Sequence, residues 1–382
     1  MYTRIYKPNK DLNQSFFLFG PRGTGKTTWL KANFPKAVYL DLLESKLNRI
    51  LMASPEKLEN YIPSGYFGWI IIDEVQKIPA LLNEVHRLIE SKKYKFILTG
   101  SSARSLRKKG VDLLAGRALT YYFHPLVRKE LGEKFSLLYS LKYGQLPMAY
   151  NSSNPEKFLD SYVQTYLQEE ILQEGLTRNI GNFTRFLEIA SFSQGQVLNI
   201  SQIAQETQLE RKTVENYFGI LEDLLIGLRL PVFNKRAKRK LIAHSKFYFF
   251  DTGVFRSLRP TGPLDSEAEI DGPAIETLFL QEIRSLNDYL ELNYEIFYWR
   301  SITGVEVDFV LYGAKGLLAF EIKRKANINN NDLKGLKAFK KDYPEARCFL
   351  FCSTDKQEYR GDITIMPIEK ALDDMDKILQ GK

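Results

Sequence analysis

The string Gly20-Pro21-Arg22-Gly23-Thr24-Gly25-Lys26-Thr27 narrows the possible folds of this chain more than any other feature. It follows the apolar run Phe16-Phe17-Leu18-Phe19 and leads into a helical pattern, so it reads as a strand, a glycine-rich turn and a helix start. Glycines allow successive backbone N–H groups to turn inward, and the helix N-terminus adds positive potential, which together make a seat for phosphates. Residues 20–28, closing on Thr28, would wrap ATP. Lys26 would reach the terminal phosphates and Thr27 would ligate Mg2+.

A second element supports the first. Trp69-Ile70-Ile71-Ile72-Asp73-Glu74 is a continuous apolar run ending in two acids, as a strand buried on both faces would be. In open α/β sheets ligands bind beyond the carboxyl ends of the strands. Asp73 is therefore expected to hold the magnesium, and Glu74 to polarise the attacking water. Two acids after a strand also fit a solvated turn, and the nearby phosphate loop favours the nucleotide site. A third run, Phe96-Ile97-Leu98-Thr99-Gly100-Ser101-Ser102, ends in hydroxyl residues, of which Thr99 is a candidate sensor of the terminal phosphate. Phosphoryl transfer also needs positive charge near the transferred group. Arg117 and Arg104 are the candidates, with Arg117 assigned to a homo-oligomer interface; either is alternatively a surface arginine.

The first 150 residues alternate short apolar runs with helical patterns, the signature of a parallel sheet covered by helices. Strands are expected over residues 15–20, 37–42, 68–74, 94–101 and 119–125. Loop-like composition near residues 151–155 and 259–273 divides the chain into 1–150, 155–258 and 265–382, with an amphipathic helix expected over 157–174 and another over 274–287. The fold class is thus multidomain α/β. With three scattered histidines (His86, His124 and His244) and two cysteines, the chain has little material for histidine-rich zinc sites or thiol chemistry. Cys348 and Cys352 fall on one apolar strand, about 13 Å apart, and cannot pair with each other there. Free thiols and an N-terminus without an apolar leader give a cytoplasmic expectation, with no membrane partner.

At this point the chain resembles a family of bacterial and archaeal AAA-type P-loop ATPases that carry a C-terminal domain of unknown function. The residues that carry the likeness are Leu18 to Thr27, Ile71-Ile72-Asp73-Glu74-Val75-Gln76, Leu98-Thr99-Gly100-Ser101-Ser102 and Leu114-Ala115-Gly116-Arg117. Tyr162 to Ile171, Phe249-Phe250-Asp251-Thr252-Gly253 and Val307-Asp308-Phe309 with Glu321-Ile322-Lys323 look like the family's later landmarks. The resemblance implies ATP binding and hydrolysis. The alternative is a nucleotide-gated switch or scaffold for protein partners, with negligible turnover.

Two further patterns follow. Residues 201–208 and 211–225 have the spacing of a helix-turn-helix, with Ser201 as the expected N-cap and residues 228–233 and 246–250 as a two-stranded wing. Lys235, Arg236, Lys238, Arg239 and Lys240 crowd the wing and contribute to a net charge of +8. With Arg211 and Lys212 they form a candidate contact for double-stranded DNA. Glu215, Glu222 and Asp223 make that helix mixed in charge, and a protein-contact role is the alternative.

The last pattern is a hairpin. Residues 305–311 and 316–323 read as strands joined by a turn at 312–315. A hairpin pairs residues of constant index sum, so Asp308 should lie opposite Glu321, with Lys323 on the face of Glu321. Two carboxylates and a lysine suit a divalent cation and a hydrolytic water. The arrangement resembles the restriction-endonuclease-like fold, with Glu276 on the preceding helix as a further acid. A degenerate, non-cleaving version is the alternative.

Overall fold

Five apolar runs in the first third of the chain become five strands: β1 Ser15–Phe19, β2 Val38–Asp41, β3 Trp69–Asp73, β4 Lys95–Gly100 and β5 Ala118–Tyr122. The computed structural model describes residues 2–7, 14–102, 114–167, 179–235, 244–263 and 265–382. It divides into two units, a first of Tyr6–Pro125 with Asp223–Leu225, and a second of Met1–Ile5, Leu126–Glu222 and Ile226–Lys382.

In the first unit the strands form one sheet in the order β2-β3-β4-β1-β5 with every pairing parallel. Ile70, Ile71 and Ile72 of β3 are all 0% exposed. A strand covered on both faces must be apolar at every position, which is why this run lacks polar alternation. Helices α1 Lys26–Asn33, α2 Ser45–Ala53 and α3 Leu81–Lys92 cover the sheet. Because Phe19 pairs with Gly100 and Asp41 with Asp73, the carboxyl ends of β1, β2, β3 and β4 share one edge. Residues following those strands are brought together there.

The second unit begins with short helices α4 Arg128–Leu131, α5 Leu137–Tyr143, α6 Pro147–Asn151 and α7 Pro155–Ser161. The long helix expected over 157–174 is not formed as such. Asn154 caps α7 by accepting from the Lys157 N–H at 3.0 Å, and the chain then takes a π-helical turn over Tyr162–Leu167. Residues 168–178 of that expectation, including Ile171, lie outside the described residues.

After α8 Ile180–Ser191 come α9 Ile200–Thr207 and α10 Arg211–Asp223, then an antiparallel ribbon of β6 Gly227–Leu230 and β7 Lys246–Phe249. The N-cap of α9 is Asn199, not Ser201: its side chain accepts from the Gln202 N–H at 3.2 Å. Helix α10 is anchored by an apolar cluster in which Phe218 meets Phe186 of α8 and Phe247 of β7 edge-on.

Helix α11 Thr252–Leu258 precedes α12 Glu267–Tyr289, which starts well before residue 274. The start signal is local, since Ser266 and Glu269 form a reciprocal capping box, and Pro273 is accommodated inside the helix. A six-stranded sheet follows, in the order β12-β13-β11-β10-β9-β8, with α13 Lys334–Asp342 packed on it. Its strands are β8 Glu295–Arg300, β9 Glu306–Gly313, β10 Gly316–Lys323, β11 Arg347–Cys352, β12 Glu358–Arg360 and β13 Ile363–Pro367. Cys348 and Cys352 are buried free thiols on β11. Among the described residues no helix is long and apolar enough to cross a membrane.

Candidate nucleotide site and the buried carboxylate cluster

The loop after β1 is shaped by its glycines. Gly23 and Gly25 have φ of 82° and 91°, the left-handed region that residues with a Cβ avoid. Gly20 is required by space, because a Cβ there would stand 2.1 Å from the Phe123 carbonyl oxygen. The Thr24 hydroxyl donates to the Pro21 carbonyl at 2.9 Å and closes the turn. Lys26 is curled into its own loop, its ammonium donating to the Gly20 and Pro21 carbonyls at 2.6 and 3.1 Å. Arg22 is half-buried and Thr28 exposed.

Asp73, at the end of β3, is the hub of the site. Its Oδ2 accepts from the Thr27 hydroxyl at 2.8 Å and also from the Tyr39 hydroxyl, while Oδ1 accepts from Thr99. Burial, reinforced by the hydrogen bond to Asp73, raises Tyr39 well above the usual phenol range, so its proton stays on the oxygen. Glu74 follows in the left-handed conformation at φ 61°. Its Oε2 accepts from the Gln76 amide nitrogen, which also donates to Ser101 Oγ at 3.0 Å. Lys26, Thr27, Asp73, Glu74 and Thr99 are therefore assembled at one sheet edge. A hydroxyl beside a carboxylate at a phosphate loop is a donor set that fits a hard divalent cation.

Tyr39 and the bridging role of Gln76 are not legible in the sequence pattern. Tyr39 sits in a strand whose apolar neighbours mask it, and only the pairing of Asp41 with Asp73 brings β2 alongside β3.

Arg117 is placed at the opposite edge. It immediately precedes β5, and Ser15 pairs with Ala118, so it lies beside the start of β1 while the phosphate loop follows the end of β1. Five residues of strand span about 16 Å. Arg117 pairs there with Glu90 of α3. This corrects any action of Arg117 on the phosphates of its own subunit. Arg104 lies outside the described residues.

In the second unit β9 and β10 pair in the expected register, Gly313 with Gly316 and Phe309 with Phe320. Asp308 Oδ2 accepts from the Ile322 N–H at 2.8 Å, and the Lys323 ammonium stands 2.7 Å from Glu321 Oε1. Glu276 arrives from α12 and accepts from the Tyr248 hydroxyl at 2.7 Å. The residue that joins these groups is Lys246 of β7, 3% exposed. Its ammonium pairs with Glu306 and stands 3.8 Å from Glu276 and 4.0 Å from Asp308. Lys246 was overlooked because it opens a ribbon strand far from the hairpin in sequence.

Burial pushes Glu276 up to about 7, with the charge of Asp308 adding to the rise, and it raises Glu321 well above the carboxylate range for the same two reasons. Burial works against the Lys246 ammonium, but Glu276, Asp308 and Glu306 outweigh it and hold the lysine above its ordinary value. Among the described residues no three His, Cys, Asp or Glu side chains are grouped to hold a metal ion.

The candidate DNA contacts are less gathered. Arg211 and Lys212 are exposed at the start of α10. Lys235 pairs with Glu295 and lies 4.4 Å over the Tyr312 ring. Arg229 of β6 pairs with Glu222 and Glu215, so part of the acidity of α10 is neutralised by the ribbon. Arg236, Lys238, Arg239 and Lys240 lie outside the described residues.

A five-stranded parallel sheet with a glycine-rich phosphate loop after β1 and an acid pair after β3 is the architecture of a P-loop nucleotide-binding domain. Residues 12–132 match a family model described as an AAA domain, which makes the first unit a domain of the AAA type. Residues 135–265 and 271–371 match two models, each described as a domain of unknown function (DUF8612 and DUF4143).

An uncharacterized protein of Mycobacterium tuberculosis is 26% identical over 320 residues, 80% of this chain and 69% of that one. An uncharacterized protein of Methanocaldococcus jannaschii is 24% identical over 361 residues, 86% of this chain and 78% of its own. Among solved structures, the Aeropyrum pernix Orc1 protein in complex with DNA shares 13% identity at a TM-score of 0.23, covering 64% of this chain and 86% of that one. A protein from Vibrio cholerae shares 12% identity at a TM-score of 0.24, covering 96% of this chain and 97% of that one. Scores this low leave both outside the argument for fold or activity.

Proposed function

We propose that the chain is a magnesium-dependent ATP hydrolase whose nucleotide state is coupled to its later domains. The observation that carries this reading is the Asp73 carboxylate shared by Thr27, from the phosphate loop, and Thr99, from the neighbouring strand. One carboxylate would thereby couple the loop proposed to hold the phosphates to the strand that carries Thr99. Thr27 and Asp73 are the residues that would hold magnesium, which when bound with ATP neutralises phosphate charge. Lys26 would leave the two loop carbonyls for the phosphate oxygens. Glu74 would orient and accept a proton from the attacking water. ATP turnover in wild type, Lys26→Ala and Glu74→Gln tests the reading, with loss of binding expected in the first variant and loss of turnover alone in the second.

A second reading, an ATP-gated switch or scaffold for protein partners with negligible turnover, is favoured by one observation: Glu74 is engaged by Gln76. For the second unit we propose a winged helix, supported by the α9–α10 pair and the β6–β7 ribbon, and a restriction-endonuclease-like domain in non-cleaving form. Arg211 and Lys212 are the described residues proposed to meet DNA phosphates. Duplex affinity that falls with salt, and falls further on Arg211→Ala with Lys212→Ala, tests that contact.

A further inference from the structure

We infer that Lys246 takes the place of the divalent cation in the carboxylate cluster of the second unit, so that the native chain carries its own cation there and admits no metal. The inference is independent of the ATP reading, since it stands on residues of the second unit alone.

The geometry begins with β7. Lys246 pairs with Leu230 of β6 on one side and bridges to Val197 on the other, so its backbone is fixed from both flanks. Successive residues of a strand face opposite ways, and the split is visible here. Phe247 packs against Phe218 and Phe249, whereas Lys246 and Tyr248 both face the acids. The ribbon therefore delivers one ammonium and one hydroxyl into a cluster built by α12, β9 and β10.

Each carboxylate is already answered. Glu306 takes Lys246 and also Arg300 at 3.3 Å. Glu276 meets both Tyr248 and Lys246 through one oxygen, Oε2. Asp308 is divided between the Ile322 N–H and Lys246, and Glu321 is paired with Lys323. A divalent ion requires several oxygens turned toward one point at about 2.0 to 2.6 Å. Here the point nearest three of them is filled by an ammonium that is 3% exposed. One acceptor remains over: Glu321 Oε2 is buried with no hydrogen-bond partner among the described residues. It is the atom to which a cation would turn if Lys246 were withdrawn.

The experiment uses the full chain without nucleotide, so that the phosphate loop has no ATP to recruit metal, and Mn2+ as the probe. Binding is read by calorimetry and stability by thermal melting, for wild type, Asp308→Asn, Lys246→Met, Lys246→Arg and Lys246→Met with Asp308→Asn. Wild type and Lys246→Arg are expected to show no Mn2+ site that depends on Asp308 and no Mn2+-dependent rise in Tm. Lys246→Met is expected to melt lower and to regain about 5 °C or more with saturating Mn2+, a gain the added Asp308→Asn abolishes. Two results overturn the inference: a Mn2+ site in wild type that Asp308→Asn removes, or a Lys246→Met chain, folded or not, that Mn2+ fails to stabilise.

Discussion

Thr27 and Asp73, 46 positions apart, meet at 2.8 Å, hydroxyl to carboxylate Oδ2, and so tie the helix after the phosphate loop to the end of β3. This pair would hold magnesium on the proposed reading. Replacing Asp73 with Ala removes the charge and releases Thr27, Tyr39 and Thr99 together. Turnover measured across a magnesium titration is expected to fall by about 10²-fold or more, with the residual rate insensitive to magnesium. An unchanged magnesium dependence would count against Asp73 as the residue that holds it.

Gln76 links Glu74 to Ser101 through one amide nitrogen. Gly100 makes room for it, because a Cβ there would stand 2.5 Å from Gln76 Oε1. If this bridge sets the direction of the Glu74 carboxylate, Gln76→Ala lowers kcat by about tenfold and leaves KM for ATP in place. Equal losses in kcat and in nucleotide affinity would instead mark a general loosening of the site.

Arg117 lies at the amino ends of the strands, and on the proposed reading it acts on a neighbouring subunit. Specific ATPase activity is expected to rise with protein concentration in wild type. In Arg117→Ala that rise should disappear while ATP affinity is kept. A variant with the same concentration dependence as wild type would remove Arg117 from catalysis.

Glu282, on α12, is 0% exposed and accepts from the Arg128 N–H at 3.0 and 3.2 Å. Burial pushes it up to about 8 from an ordinary 4.5. An acid whose value is raised by folding holds its proton more tightly in the folded state. Its stabilisation is complete below about 4.5 and is lost as pH rises through about 8. Relative to wild type, Glu282→Gln should therefore gain stability between pH 5 and pH 9, by on the order of a few kcal/mol, read by denaturant melts at each pH. A difference that does not change with pH would show that Glu282 titrates alike in the folded and unfolded chain.

Much of this was readable in advance where the determinants are local. The strands of the first unit follow apolar runs, and the β9–β10 register follows from a short turn, because index sums fix the partners of Asp308 and Glu321. Pro273 reads as a boundary in the sequence, whereas α12 starts at Glu267 because Ser266 and Glu269 cap it. The edge on which Arg117 lies was deducible from the parallel sheet, since a residue before a strand cannot sit where the strands end. Tyr39 and Lys246 were not legible. Each owes its place to pairing between distant strands, with β3 for the first and with β6 and Val197 for the second.

The most direct test is steady-state phosphate release from magnesium ATP by wild type, Lys26→Ala and Glu74→Gln, with nucleotide binding measured on the same samples. The account predicts turnover by wild type, no binding by Lys26→Ala, and retained binding with turnover reduced by about 10²-fold or more in Glu74→Gln. Wild type that binds ATP but releases no more phosphate than Glu74→Gln would contradict it.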